Sequence, residues 1–157
     1  MTNETLTFEQ LLERDGHLAY TNKGVSMMPL LRQDKDVMII QRKGNARCKK
    51  LDAVLFKRPG TSGINYVMHR VLRINDDGTY WIIGDNCVTG DIVAEDNIIG
   101  ILTAVVRDGK TVHVTDPGYR LYVNTWCRFY RLRIAVLRMK HFMGRGLRRL
   151  GLVHRRA

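Results

Sequence analysis

Three regimes of apolar spacing divide this chain of 157 residues. In the first, Thr7-Phe8-Glu9-Gln10 reads as a capping box opening a short helix, because Thr7 can accept from the third amide while Gln10 reaches back, and Gly16 ends it. In the second, β-branched and apolar runs at 18–21, 37–41, 53–56, 66–74, 80–83, 98–107 and 111–114 predict strands. Asp76-Asp77-Gly78 and Asp108-Gly109 are hairpin signals between them, and Arg58-Pro59-Gly60 reads as a turn at a strand end. In the third, Phe129, Leu132, Val136, Met139, Met143, Leu147 and Leu150 recur at steps of three and four, which is helical spacing. Arg128, Arg131, Arg138, Arg145 and Arg149 line another side of that helix, and Gly144 and Gly146 are expected to weaken or break it. The chain is therefore expected to be mainly β over 1–117, with a short N-terminal helix, and to carry a basic amphipathic helical tail over 118–157. Asp116-Pro117-Gly118 marks the boundary.

Charge sharpens that division. Lys and Arg number 26 against 15 Asp and Glu, a net +11, and the segment after Pro117 holds eleven Lys and Arg with no acid. The β body is thus neutral and the tail carries the whole excess. Basic and aromatic residues in one amphipathic helix favour an anionic membrane surface as its partner, ahead of simple packing on the β body. Nucleic acid is the least favoured partner, because clustered arginine is the only feature pointing to it.

Other chemistry is narrowed by what the residues do not form. Cys48, Cys87 and Cys127 make no C-x-x-C pair, which argues against a disulfide framework and for a reducing compartment. His17, His69, His113, His141 and His154 stand apart from one another without metal-ligand spacing, so neither a metal nor another cofactor is expected. No apolar run is long enough for a transmembrane helix, and the acidic, polar start is unlike a signal sequence. A cytoplasmic protein, peripheral at the membrane surface, is the expectation.

Candidate catalytic chemistry sits in four blocks. The first is Ser26-Met27-Met28-Pro29-Leu30, and the second is Leu51-Asp52-Ala53-Val54-Leu55-Phe56, which runs on to Pro59-Gly60. The third is Val67-Met68-His69-Arg70-Val71, and the fourth is Gly84-Asp85-Asn86 with Asp91 five residues after it. A serine hydroxyl is a weak nucleophile until a neighbouring base takes its proton and a third group orients that base, and these blocks supply Ser, His and Asp in that order. Taken in order over residues 20–107, the blocks resemble those of the signal peptidase I superfamily, on the branch whose base is histidine as in endoplasmic-reticulum-type signal peptidases. They are similar to its S-M-x-P nucleophile box, its G-D-x-V-x-F box with Leu51 in place of the usual glycine, its H-R-V box and its G-D-N box.

The resemblance implies a β-barrel-like fold of the signal-peptidase and repressor-cleavage type, and a serine endopeptidase that cuts an extended leader-like or signal-like peptide after a small residue. In it Ser26 would be the nucleophile and His69 the base, with Asp91, or secondarily Asp85, orienting the imidazole. Gly24, Met27 and Pro29 would touch substrate, and the Ser26 amide would hold the oxyanion. Many members place a hydroxyl two residues before the nucleophile, where this chain has Gly24. Two other readings rank lower: a Ser/Lys dyad using Lys50 or Lys57, and a non-catalytic peptide- or membrane-binding module of the same fold.

Overall fold

The computed structural model describes residues 6–61 and 63–149, with side-chain surroundings through 143. The capping box forms as expected: the Gln10 amide donates to the Thr7 hydroxyl at 3.2 Å, and the Thr7 amide donates to the Gln10 side chain at 2.7 Å. Helix α1, Phe8–Asp15, ends at Gly16, whose φ of 72° is the left-handed conformation that closes a helix most cheaply without a Cβ.

Eight strands follow: β1 His17–Thr21, β2 Val37–Arg42, β3 Ala53–Gly60, β4 Gly63–Ile74, β5 Tyr80–Ile83, β6 Gly90–Val93, β7 Ile98–Arg107 and β8 Lys110–His113. They form one antiparallel sheet in the order β1-β2-β7-β3-β4-β5-β6, with β8 also on β7. Strand β7 joins the two halves. One of its edges pairs with β2 over Gly100–Val106, while the other pairs with β3 through Ile98–Ile101 and then with β8 through Ala104–Arg107. Between Leu102 and Ala104 the register with β2 slips by one residue, leaving Thr103 as a bulge whose hydroxyl donates to the Ile39 carbonyl at 3.1 Å. Such a bulge changes which face a strand presents, so Leu102 and Val105 both enter the same core.

The sheet is buried on both sides at β3. Ala53 and Leu55 join one apolar cluster with Leu12, Met27, Leu31, Met38 and Ile40, whereas Val54 and Phe56 join another with Val71, Tyr80, Ile82 and Ile98. A strand covered on both faces needs a continuous apolar run rather than an alternating one, which is the pattern of Ala53-Val54-Leu55-Phe56.

The Asp108-Gly109 hairpin forms with φ of 49° and 77°, the left-handed pair that two-residue loops require. Arg58-Pro59-Gly60, by contrast, is no turn: β3 runs on through it and pairs Pro59 with Ile64 and Gly60 with Gly63. Proline is tolerated there because it lies at the outer end of a hairpin, where a missing ladder bond costs little. Strand β6 was not anticipated, since Gly90 and Asp91 are poor strand formers and it takes its shape from pairing with β5.

The C-terminal segment starts at the expected boundary, with Pro117 in the first turn of α2, Pro117–Tyr122. A π-helical turn, Val123–Cys127, leads into α3, Tyr130–Arg149. The backbone of α3 continues through Gly144 and Gly146, each of which costs only about 1 kcal/mol against alanine in a helix. This segment is packed on the sheet rather than appended to it. Tyr119, Cys127, Arg133 and Leu137 are buried, and Trp81 meets Tyr130 edge to face at 5.4 Å. The stripe of Phe129, Leu132, Val136, Met139 and Met143 is not the packed face and stays exposed. Leu147 falls where side chains are not described and Leu150 lies outside the described residues.

Leu51 is a non-glycine residue in the left-handed region, with a φ of 77°. Backbone bonds hold it there: its amide donates to the Val71 carbonyl at 2.7 Å, and its carbonyl accepts from Arg70 Nη1 at 2.8 Å. A side chain in the left-handed region costs about 1–2 kcal/mol, while glycine adds roughly 0.5–1 kcal/mol of entropy to the unfolded chain. Leu51→Gly relieves that strain but also deletes a half-buried side chain, so the two effects nearly cancel and the stability read from the urea midpoint should change by less than about 1 kcal/mol.

Candidate active site

Ser26 sits just past the end of β1, in a run of turns that closes one α-turn through the bond from the Leu31 amide to the Met27 carbonyl, 3.0 Å. The loop is fixed from two sides. At 31–36 the buried Asp36 carboxylate accepts from Arg32 and from Arg107 of β7, and Arg107 Nη2 also donates to the Leu30 carbonyl at 2.7 Å. Burial alone would raise the Asp36 pKa, but hydrogen bonds from Arg107 and Arg32 outweigh it and hold the group at about 2. On the other side, the Asn86 amide donates to the Ser26 carbonyl at 2.7 Å and Asn86 Nδ2 to the Val25 carbonyl at 3.2 Å. The G-D-N block thus holds the serine loop directly.

Gly84 shows how closely these parts approach. A Cβ there would stand 2.6 Å from the Ser26 carbonyl oxygen, 2.7 Å from Cys87 Sγ and 3.1 Å from His69 Nε2. Only glycine fits, so the Ser26 backbone and the His69 imidazole flank a single residue. Both side chains line a groove of about 610 Å³, together with Gly24, Arg58, Asp91 and Cys87. One wall is Ile64 through His69 of β4. That stretch pairs with β3 on one edge, and β5 takes up the other edge only from Arg70 onward, so among the described residues Ile64–His69 keeps an edge with no strand on it.

His69 is 6 % exposed, next to Phe56 at a ring separation of 5.9 Å. Burial pushes its pKa down to about 4; the Asp91 carboxylate opposes that shift and the Arg58 guanidinium adds to it. The ring is neutral at neutral pH, the state a general base needs before it takes a proton. Its Nδ1 lies 3.8 Å from Asp91 Oδ2, within electrostatic reach but without a hydrogen bond, and is unpartnered. Arg58 Nη1 shares Asp91 at 3.4 Å. No hydrogen bond joins Ser26 to His69 among the described residues; catalytic contacts of this kind often tighten only when substrate arrives.

The two aspartates have separate surroundings. Asp91 is beside the imidazole, whereas Asp85 is fully buried and taken up by three other side chains. Arg70 donates to it at 2.7 and 2.9 Å, Tyr122 at 2.9 Å and Arg133 at 3.3 Å. Asp85 thus joins β4, the G-D-N block and the C-terminal helix, and reaches His69 only through its field. Its backbone carbonyl also accepts from Trp126 Nε1 at 3.3 Å.

Among the residues expected to touch substrate, Gly24 lines the groove, and a Cβ added there would meet nothing within 4 Å. Met27 instead turns into the core at 1 % exposure, and Pro29, after a cis Met28–Pro29 bond, borders a different cavity with Arg107 and Tyr122. Neither lines the groove: the turn closed by the Met28 amide on the Val25 carbonyl, 3.2 Å, carries Ser26 at the groove and sends Met27 inward. Lys57 is held by Glu9 of α1 at 2.9 Å and Lys50 borders a third cavity, so neither lysine reaches the groove. Arg58 and Gly84 are the site residues that motif spacing did not single out. Gly84 lay inside the fourth block, but its close approach exists only once Ser26 folds over it.

No family model matches the chain, and neither a curated protein nor a solved structure does.

Two measurements check these electrostatics. Imidazole NMR should show His69 titrating near pH 4 rather than near the ordinary value of about 6.5. Because the folded-state pKa is the lower one, the unfolded chain takes the proton first as pH falls below about 6.5. Stability should then decline by roughly 3 kcal/mol down to about pH 4, a loss that His69→Phe removes if it folds. Asp85→Ala leaves the buried Arg70 and Arg133 guanidinium groups without their carboxylate and should cost at least about 3–5 kcal/mol in chemical denaturation.

Proposed function

We propose that this chain is a serine endopeptidase of the signal-peptidase-like kind, with the β-barrel-like fold of that superfamily. In this reading it cuts an extended peptide by a Ser26/His69 mechanism. The observation that carries the reading is the placement of Ser26 and His69 on either side of Gly84 in one groove, where no Cβ fits between them.

In this mechanism the peptide lies along the unpaired edge of Ile64–His69 as an added strand, its backbone held by main-chain hydrogen bonds. Ser26 Oγ attacks the scissile carbonyl and the neutral imidazole takes its proton, then returns it to the leaving amine. Asp91 favours the imidazolium that forms in between, and Arg58 limits how far it does so. The Ser26 amide makes no hydrogen bond within the described residues and so is free to donate to the oxyanion in this mechanism. A side-chain donor from position 24 is absent, and one such donor is worth about 2.7–4 kcal/mol of barrier elsewhere.

The alternative of a non-catalytic peptide-binding module draws on a specific observation as well. His69 is a weak base, and its Nδ1 lacks the hydrogen bond that would orient it. The two readings part on one experiment with an extended peptide bearing small residues. Ser26→Ala and His69→Ala should each lower kcat/KM by at least about 10³-fold while leaving the denaturation midpoint of Ser26→Ala near wild type, because nucleophile and base act as a unit. Activity should rise with pH through about 4 and be flat near 7. Wild-type protein that binds the peptide without cleaving it supports the binding module, and a rise delayed to about pH 9 points to a lysine base.

A further inference from the structure

Helix α3 has two apolar faces that do different work. The inner face holds Tyr130, Arg133, Ile134 and Leu137: Arg133 and Leu137 are buried, and Arg133 is tied to Asp85. Some 130° around the helix, Leu132, Val136, Met139 and Met143 form a second stripe at steps of three and four, with Phe129 one turn ahead of them. These residues are 39 to 67 % exposed, and Phe142 beside them is 73 % exposed. Arg128, Arg131 and Arg138 flank the stripe on one side and Lys140 on the other, all exposed. The whole segment after Pro117 lacks any acidic residue.

We infer that this outer face of α3 docks on an anionic lipid surface, with the helix lying in the plane of the membrane. The inference is independent of the proposed reaction. Charge chooses the occupant. A second copy of this chain would set one unrelieved cationic face against another, whereas an anionic bilayer meets both the arginines and the apolar stripe between them. Nucleic acid would satisfy the arginines and leave Leu132, Val136, Met139 and Met143 in water. No helix of the described residues is long and apolar enough to cross a membrane, and a helix of α3's length, about 30 Å, lies on one by its stripe. The inner-face contact to Asp85 holds α3 on the sheet, so the β body docks together with the helix. Arg145 and Arg149 extend the helix beyond the described side chains.

The test uses the full chain and sedimentation with two kinds of vesicle: phosphatidylcholine alone, and phosphatidylcholine with about a third phosphatidylglycerol. The wild-type protein should sediment with the anionic vesicles and stay in solution with the neutral ones. Leu132→Ser/Val136→Ser/Met139→Ser should fold normally, since all three side chains are exposed, and should lose at least tenfold in partitioning. Arg128→Gln/Arg131→Gln/Arg138→Gln should lose about a hundredfold at low salt, at roughly fivefold per arginine. Equal sedimentation with both vesicles, or unchanged sedimentation of either variant, overturns the inference. So does a wild-type dimer in analytical ultracentrifugation that the serine variant dissociates, which would make the stripe a contact between copies. Protein that ignores both vesicles but binds single-stranded and duplex DNA through the same arginines overturns it as well.

Discussion

One carboxylate ties the C-terminal helical segment to the sheet beside the groove. Asp85 is fully buried between Arg70 of β4 and Arg133 of α3, with the Tyr122 hydroxyl as a further donor. Burying three charges is costly unless each is paired, and here a single anion serves two cations. Arg70 satisfies its remaining donors on the Leu51 carbonyl and the Tyr119 hydroxyl. Arg133 is less well served, since Nε and Nη2 are buried without partners. The cluster is a specific joint: no other pairing of β4 with the C-terminal helix would place an acid between those guanidinium groups. The neighbouring Gly84 and Asn86 touch Ser26, so the same joint sets the position of the nucleophile loop.

A second ionic joint works on the other side of that loop. Asp36, held by Arg32 and Arg107, draws the segment after Ser26 onto β7, while Arg107 also binds the Leu30 carbonyl. The Ser26 turn is therefore held on one side by Asn86, next to the buried Asp85, and on the other by Arg107, which the buried Asp36 fixes. Between the clamps, the site depends on absence as much as on contact. Gly84 has no side chain where the serine backbone and the imidazole approach, and among the described residues the β4 edge beside His69 has no strand upon it. An unpaired edge would invite aggregation if it were long and flat; here it lies within the groove and spans six residues.

His69 shows how a fold tunes one group by competing influences. Its burial lowers its basicity, Asp91 raises it and Arg58 lowers it again. The net result is an imidazole that is neutral at neutral pH, its charged state favoured chiefly by the Asp91 carboxylate at 3.8 Å, which Arg58 shares, and further by the field of Asp85. Displacing water from the groove would strengthen each of these interactions, because screening by solvent falls as water leaves.

Much of the local structure was legible in the residues. The Thr7 and Gln10 cap, the Asp108-Gly109 hairpin and seven of the eight strands follow from short-range rules, because each depends on groups a few positions apart. That Ser26 and His69 line one groove is a different matter, since only the resemblance of their blocks suggested it and no short-range rule links residues so far apart. What the residues could not declare is direction across distances. The tail's helical period predicted a helix and could not say which face would be buried. Packing chose the face with Arg133 and Leu137, because Asp85 offers Arg133 a charge partner that Leu132 and Met139 cannot use. Asp85 and Asp91 look alike in one Gly-rich block, yet only the fold sends the first to Arg70 and Arg133 and the second to His69. Sequence determined where the chain turns, pairs and charges itself; the tertiary structure decided which charges meet, since electrostatic partners come from strands and helices far apart along the chain.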